Sequence, residues 1–550
     1  MSASLASLSP GNASEANDLL QQVIDRSTHL AELVASLTAG TTIALVLGTL
    51  LLLSAFTRPK RHVPGAPVLG RKHWWEPDLL LYWRYTANAR TIIADGYKKF
   101  KDQPFVVKRH DVDFNVMPHK YLDELRLVPN TKLSSIRANV QNLGHKWTFT
   151  TPMSESNLHF RVVQNKLTPE LPKYLDIIKK ELDEIWSDDI PDPQDWQEVD
   201  IQEMMRRLAA RMAGKVFVGH PACRDEDWIR ISVGFAMDVF TTGAILRMFP
   251  PLTHPIVAWL IPARYRVMEN LRTAEKILEP LMKRHKDNIA KKAAGEPIEE
   301  EEEDTLLNWM IDRGTEEEIR LDRMALRQLF LCLAAVHTTS MSITHILFDL
   351  CSHPEWFPVI RGEIDEIYKD LGPINSSPES SAKNWLNRLE KLDSFFVESQ
   401  RSNLPSLFVP QRIAVQSMTL KDGTHIPKGT KITWAAHSHM HDTSITQDPA
   451  NFDPMRSYRK RHSSPELLNK HLASSASPNS LAFGYGSQAC PGRTFSVGEV
   501  KLILVRLLSD YEFQFTDGTT NRPANMFAGE NSFPDPSAKL LMRRRRDKSS

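Results

Sequence analysis

The sequence predicts a mainly α-helical body with a small β part, preceded by a single N-terminal transmembrane helix. Three observations carry that expectation. Residues 33–57 form an uncharged, apolar run. Apolar residues recur at helical spacing through residues 196–350, as at Leu326, Leu329, Phe330 and Leu333. Between residues 406 and 433 the pattern changes to short strands, broken at Asp422-Gly423 and Pro427-Lys428-Gly429.

The elements follow in order. Residues 1–32 are a short, slightly acidic tail, with Glu15, Asp18, Asp25 and Glu32 against Arg26. Asn12-Ala13-Ser14 is a glycosylation acceptor within it. The run at 33–57 is long enough for a hydrocarbon core of about 30 Å, which needs roughly 20 residues. It starts too far into the chain for a signal peptide, and no small-residue cleavage site follows it. A buried core helix is seldom so uniformly uncharged. Arg58, Lys60 and Arg61 come next, and basic flanks stay cytoplasmic. The body therefore faces the cytosol and the tail, with Asn12, the lumen of the endoplasmic reticulum. Residues 58–70 are a basic, Pro-rich hinge containing Pro64-Gly65-Ala66-Pro67. Residues 71–550 form the body.

Bulk composition excludes some functions. Lys plus Arg is 68 and Asp plus Glu is 67, a net charge of +1. A nucleic-acid binder shows a basic excess, and none is present. The cysteines are Cys223, Cys332, Cys351 and Cys490, too scattered for a disulfide scaffold and without a CxxC zinc pair. The acidic run at 299–304 reads as a solvated loop. Arg543–Arg546 read as the solvated end of a terminal strand, with anionic lipid as the competing reading. His437, His439 and His441 alternate, with Asp442 beside them, as metal ligands on one strand face do; a metal role is the less favoured reading.

One cysteine has a distinctive setting. Residues 481–493 read Leu-Ala-Phe-Gly-Tyr-Gly-Ser-Gln-Ala-Cys-Pro-Gly-Arg, and a helical pattern begins a few residues later. Two glycines before Cys490 permit a tight loop that approaches a flat ligand closely. Backbone N–H groups near a helix start stabilise a thiolate. Phe483 is placed to shield the sulfur. For a lone cysteine, the better reading is a buried residue in a turn.

The segment resembles the haem-binding loop of the cytochrome P450 family, Phe-x-x-Gly-x-x-x-Cys-x-Gly. Phe483, Gly486, Cys490 and Gly492 fill its fixed positions. Gln488 departs from the Arg or His that usually binds a haem propionate. Three further segments are similar to family motifs and stand in the family's order. Glu398-Ser399-Gln400-Arg401 resembles Glu-x-x-Arg, and a spacing of three puts both charges on one helical face. Phe452-Asp453-Pro454-Met455-Arg456 resembles Phe-x-Pro-x-Arg, whose Arg joins Glu398 and Arg401 in a structural network. Ala334-Ala335-Val336-His337-Thr338-Thr339 resembles the helix over the distal face of the haem. There Thr338 aligns with the Thr that guides protons to bound dioxygen; a mid-helix Thr can equally back-bond to a carbonyl. His337 fills a slot usually acidic and is either a proton relay or a packed core histidine.

The resemblance covers residues 60–545 and implies one large domain of cytochrome P450 fold. It implies haem, held by Cys490 as axial ligand to the iron, whose thiolate pushes electron density toward O–O cleavage. Arg412 stands where the family places a propionate-binding Arg, and His159 and Arg161 lie near a segment with the same use. Implied partners are dioxygen, the membrane, a flavin-containing NADPH–cytochrome reductase, a small haem electron donor and an apolar small-molecule substrate. Residues 403–409 and 134–151 are expected to line the pocket. The apolar stretch 249–262 either covers the channel at the membrane or packs in the core. The resemblance is to fungal members that oxidise terpenoids in secondary metabolism. Two other classes share the haem-thiolate ligand, a reductase-independent isomerase or dehydratase and a non-catalytic haem carrier. Thr338 argues for dioxygen use.

Overall fold

The computed structural model describes residues 21, 23–29, 39–57, 61–73, 75–298 and 301–546. Asn12 and most of the acidic tail lie outside them. The chain divides into a small unit, Met1–Pro59 with Pro250–Val257, and a large one, Lys60–Phe249 with Ala258–Ser550.

In the small unit, the helix Ala39–Thr57 forms within the uncharged run. Its 19 residues extend about 28 Å at ~1.5 Å per residue. It packs against the 3₁₀ turn Pro251–Thr253, where the Thr253 hydroxyl donates to the Pro250 carbonyl at 2.8 Å.

The large unit is built around the helix Leu321–Ser352. Leu, Ala and Met dominate its first half and no proline interrupts it, so helical propensity and burial agree. It stops at His353, next to Pro354, whose ring disfavours helical backbone in the preceding residue. The helices Ile201–Phe217, Glu226–Leu246 and Pro262–Ala294 pack on its sides. Two helices here, Leu321–Ser352 and Glu226–Leu246, are long and apolar enough to cross a membrane. Both are more than half buried inside the protein and are core helices.

The β part is larger than residues 406–433. A five-stranded sheet runs in the order Phe105–Lys108, Asp113–Val116, Lys431–Thr433, Gln411–Ala414, Leu133–Ser134. Only the Asp113–Val116 and Lys431–Thr433 pairing is parallel, with Phe114 opposite Lys431. A second, antiparallel sheet places Leu540–Arg544 between Gln197–Val199 and Tyr511–Phe515. A hairpin pairs Met526–Ala528 with Asn531–Phe533.

Two sequence expectations change here. The acidic run is not simply solvated. Asp304 pairs with Lys166 at 2.7 Å and with Lys173, Glu303 with Lys215 at 2.6 Å, and Glu302 with His285 at 2.7 Å. Basic helix faces nearby draw the acids in. The terminal arginines are also matched by acids, Arg543 with Glu512, Arg544 with Asp192 and Arg546 with Asp195, which answers their charge without lipid. No group of three potential metal ligands exists among the described residues. His437 and His439 lie on the short helix Ala436–Met440, with His441 as its C-cap. His437 stacks on His441, whereas His439 stacks on His119 and hydrogen-bonds Asn479.

Candidate functional site

The Cys490 loop is shaped by its glycines. Gly484 and Gly486 adopt φ of +72° and +79°, which favour glycine. At Gly486 a Cβ would lie 2.2 Å from the Arg126 carbonyl oxygen, so no side chain fits there. That carbonyl accepts from Ser487 N at 2.9 Å, holding the loop against the segment after helix Tyr121–Leu125. Cys490 N donates to the Phe483 carbonyl at 2.9 Å, closing the turn. The helix Arg493–Asp510 then begins, and the Arg493 guanidinium donates back to the Cys490 carbonyl at 3.0 Å.

Cys490 is half-buried, and Phe483 beside it is packed against the main core. Burial pushes the Cys490 thiol up, against the lowering effects of the Gly492 N–H and the Arg493 charge. A metal bound at the sulfur reverses this, because a coordinating thiol is deprotonated outright. Cys223, Cys332 and Cys351 are fully buried, and burial holds the first two thiols up at about 12.

The central helix, Leu321–Ser352, carries Thr338 and His337. It is buried along most of its length, yet Ala334 and Thr338 are exposed, one turn apart on one face. Exposure in the middle of a core helix marks an internal opening. The Thr338 hydroxyl donates to the Ala334 carbonyl at 2.7 Å, the back-bond that bends a helix. His337 turns the other way. Its Nε2 donates to the Val233 carbonyl on the neighbouring helix at 3.1 Å, and burial pushes the imidazole down, so the ring is neutral near pH 7. Thr339, on the buried side, bonds Glu499 at 3.3 Å. Burial raises Glu499 to about 8, so this carboxyl is protonated at neutral pH.

The expected haem contacts separate into two kinds. Arg412 is 1% exposed and donates to the carbonyls of Leu125 and Tyr485, at 2.5 and 2.8 Å. Its Nε has no partner and no carboxylate faces it, so burial alone pushes it down to about 10. A buried guanidinium without a counter-charge fits a propionate. Gln488 does not. Its oxygen accepts from Ser135 N at 2.8 Å, and its amide donates to the carbonyls of Val128 and Leu133, both at 2.8 Å. With both amide hydrogens engaged, Gln488 ties the loop to residues 128–135. His159 and Arg161 are engaged elsewhere, His159 beside Arg327 and Phe330, Arg161 with Glu318 at 3.2 Å.

The three-residue network is assembled. Glu398 is 2% exposed and accepts from Arg401 at 2.8 and 3.0 Å, from Arg456 at 3.2 Å and from Asp453 N at 3.0 Å. Burial pushes its carboxyl up, but these donors outweigh burial and hold it below the usual range.

Sequence reasoning missed Arg126, Arg493 and Glu499. Arg493, three residues after Cys490, was legible as a charge next to the ligand. The Arg126 carbonyl and Glu499 carry no local signal, because only the fold brings them in.

A family profile described as Cytochrome P450 matches residues 121–542. The chain is a member of the cytochrome P450 family. It is 41% identical over 529 residues to the cytochrome P450 monooxygenase sdnB of Sordaria araneosa, covering 96% of each chain. It is 42% identical over 508 residues to the cytochrome P450 monooxygenase ATR4 of Stachybotrys chlorohalonatus, covering 91% of this chain and 94% of that one. An ent-kaurene oxidase of Gibberella intermedia is 36% identical over 484 residues, covering 87% and 88%. Among solved structures, the retinoic acid-bound cyanobacterial CYP120A1 shares the fold, with a TM-score of 0.60 at 17% identity, covering 88% of this chain and all of that one. This cytochrome P450 is a monooxygenase with a haem cofactor. Cys490 and Arg412 fit that group, the first as sulfur ligand and the second as propionate partner.

Proposed function

We propose that this P450 oxidises C–H bonds of a bulky, mostly apolar terpenoid, meroterpenoid or indole-terpenoid in fungal secondary metabolism. The observation that carries the reading is Thr338, a hydroxyl exposed with Ala334 in the middle of an otherwise buried helix. The haem supplies dioxygen activation when bound. The protein's part is to hold, shield and deliver protons. Cys490 would hold the haem iron through its sulfur, Phe483 would keep water from that sulfur, and Arg412 would answer a propionate charge. Thr338 Oγ1, released from the Ala334 carbonyl, passes a proton toward the distal side. His337 turns away from that face and, neutral with its Nε2 hydrogen on the Val233 carbonyl, packs against the neighbouring helix. Leu404, Leu407 and Phe408 are fully buried apolar residues in the segment read as pocket lining. Asn403, in the same segment, instead bonds Asp349 at 3.0 Å. The ent-kaurene oxidase relatives support a terpenoid.

Electrons come from a membrane-bound, flavin-containing NADPH–cytochrome reductase, with a small haem protein as a second donor. The helix Ala39–Thr57 anchors the protein in the endoplasmic reticulum, with Asn12 lumenal and glycosylated and the body cytosolic. The test is expression in microsomes with a panel of terpenoid scaffolds, read by mass spectrometry. Product that requires both NADPH and reductase supports the reading. Product formed without them identifies a haem-thiolate isomerase or dehydratase. A wild-type protein lacking the thiolate-type Soret band in the reduced carbon-monoxide difference spectrum, or a Cys490→Ala variant keeping it, overturns the ligand assignment.

A further inference from the structure

Away from the cysteine loop, a buried charged cluster joins four elements of the large unit. Arg109, after the strand Phe105–Lys108, pairs with Asp111 at 2.6 Å and with Glu530 of the C-terminal hairpin. Tyr85 donates to the second Glu530 oxygen at 2.7 Å. Lys431, 1% exposed, donates to Asn142 Oδ1 at 2.5 Å and to the Ala138 carbonyl at 3.2 Å. Arg247, one residue past the helix Glu226–Leu246, reaches in from above, with Nη1 3.8 Å from Glu530.

Arg109 and Arg247 thus share Glu530, and burial beside these guanidinium groups pushes Lys431 down. A buried charge is costly unless it is well paired. Arg247 is the loosely paired member of this group. Its Nε donates to the Gly243 carbonyl at 3.1 Å, while Nη1 and Nη2 donate no hydrogen bond to any described residue. Its side chain is only 17% exposed.

The surroundings of Arg247 are the segments read as pocket lining. Gly243 sits so close to residues 142 and 143 that a Cβ there would lie 3.1 Å from the Asn142 and Leu143 carbonyl oxygens. Glu530 accepts a backbone hydrogen bond from Leu407 at 2.7 Å, within 403–409. A guanidinium with two free, parallel donors matches a carboxylate in a bidentate pair.

We propose that Arg247 binds a carboxylate of the substrate, so that the molecule oxidised here is a terpenoid acid and not a neutral hydrocarbon. This rests on the monooxygenase reading above and narrows its substrate class. The bound carboxylate takes the Arg247 donors that carry no hydrogen bond, fixes the long axis of the substrate and selects against esters and hydrocarbons of the same shape.

The experiment is a substrate-induced haem difference spectrum of the full-length protein in detergent micelles at pH 7.5. The probes are ent-kaurenoic acid and retinoic acid, each beside its methyl ester. We expect at least one acid to bind with a Kd about tenfold or more below that of its ester, the worth of one charge-assisted pair. Arg247→Gln erases this preference and leaves ester affinity within about twofold, whereas Arg247→Lys keeps part of it. Equal affinity for acid and ester, no spectral shift with either acid, or a preference that survives Arg247→Gln overturns the proposal. The reduced carbon-monoxide spectrum of each variant is the folding check. A normal spectrum without acid preference defeats only this inference, whereas a missing thiolate-type band defeats the monooxygenase reading itself.

Discussion

Thr338 and Gln488 show how one side chain's hydrogen bonds decide its role. Thr338 holds its hydroxyl on the Ala334 carbonyl but is exposed, so the hydroxyl can exchange that bond for another partner. Thr338→Val keeps the shape and removes the proton carrier. We expect haem content and the carbon-monoxide spectrum to be retained, NADPH consumption to continue, and product per NADPH to fall about tenfold or more. Unchanged coupling would show that another group carries the proton. Gln488 stands where the family places a cation, yet its amide is fully engaged by Ser135, Val128 and Leu133. Gln488→Leu strands one backbone N–H and two carbonyls. A loss of about 1–3 kcal/mol is expected in urea unfolding, with haem release at lower denaturant. Arg412→Met strands the carbonyls of Leu125 and Tyr485 and also removes the buried charge, so haem retention is expected to fall together with stability. From the sequence, Arg412 stood at a propionate-binding position of the family, whereas Gln488 was a departure from one. The structure separates them because a propionate needs a free donor, and hydrogen-bond occupancy is a tertiary property.

At the scale of elements, the network of Glu398, Arg401 and Arg456 joins the helix Glu390–Ser402 to the start of the helix Arg456–Arg461. The Glu-x-x-Arg spacing was legible because three residues bring both charges to one helical face. That Arg456 would close the triad followed from family resemblance, and its geometry from the fold. Breaking a buried ion pair by removing one partner is costly, so Glu398→Gln should lower stability by about 3 kcal/mol at pH 7. The pH dependence has a definite sign. The folded-state pKa of Glu398 is depressed, so its contribution is present in full above the unfolded value of about 4.3. It is lost as pH falls through the lower folded value. Urea midpoints of wild type and Glu398→Gln should therefore differ from pH 7 down to about pH 4 and converge only below it. A constant gap would place the effect in packing. The strands were read less completely. Residues 406–433 carried turn signals, but their sheet partners at 105–116 lie some three hundred residues away, and no local pattern encodes that pairing.

At the scale of the whole molecule, the sequence places an uncharged run next to a basic hinge, and the large unit adds a surface of its own. Trp75, Leu79, Leu80 and Trp83 are 64, 50, 42 and 53% exposed at the start of the helix Asp78–Lys99. Exposed apolar residues grouped this way mark a contact surface, and the neighbouring Arg71 and Arg84 are paired with Asp78 and Glu76, each at 2.6 Å, so the surface acts through its apolar groups. A chain lacking residues 1–57 is expected to sediment with anionic vesicles, and replacing those four residues with serine to leave it in the supernatant. Release of the truncated chain with all four residues intact would assign membrane attachment to the N-terminal run alone.

The sequence by itself determined the helix-rich class and the family motifs around Cys490 and Thr338, because each rests on residues close together in the chain: a hydrophobic period, a glycine-framed loop, a helix face. The tertiary structure alone decided which charges are answered and which are left over. It gave the acidic run and the terminal arginines their partners, engaged Gln488 with backbone, left the buried Arg412 without a carboxylate, and set Arg247 3.8 Å from Glu530. Charge balance is a sum over neighbours in space, and here those neighbours come from segments hundreds of residues apart.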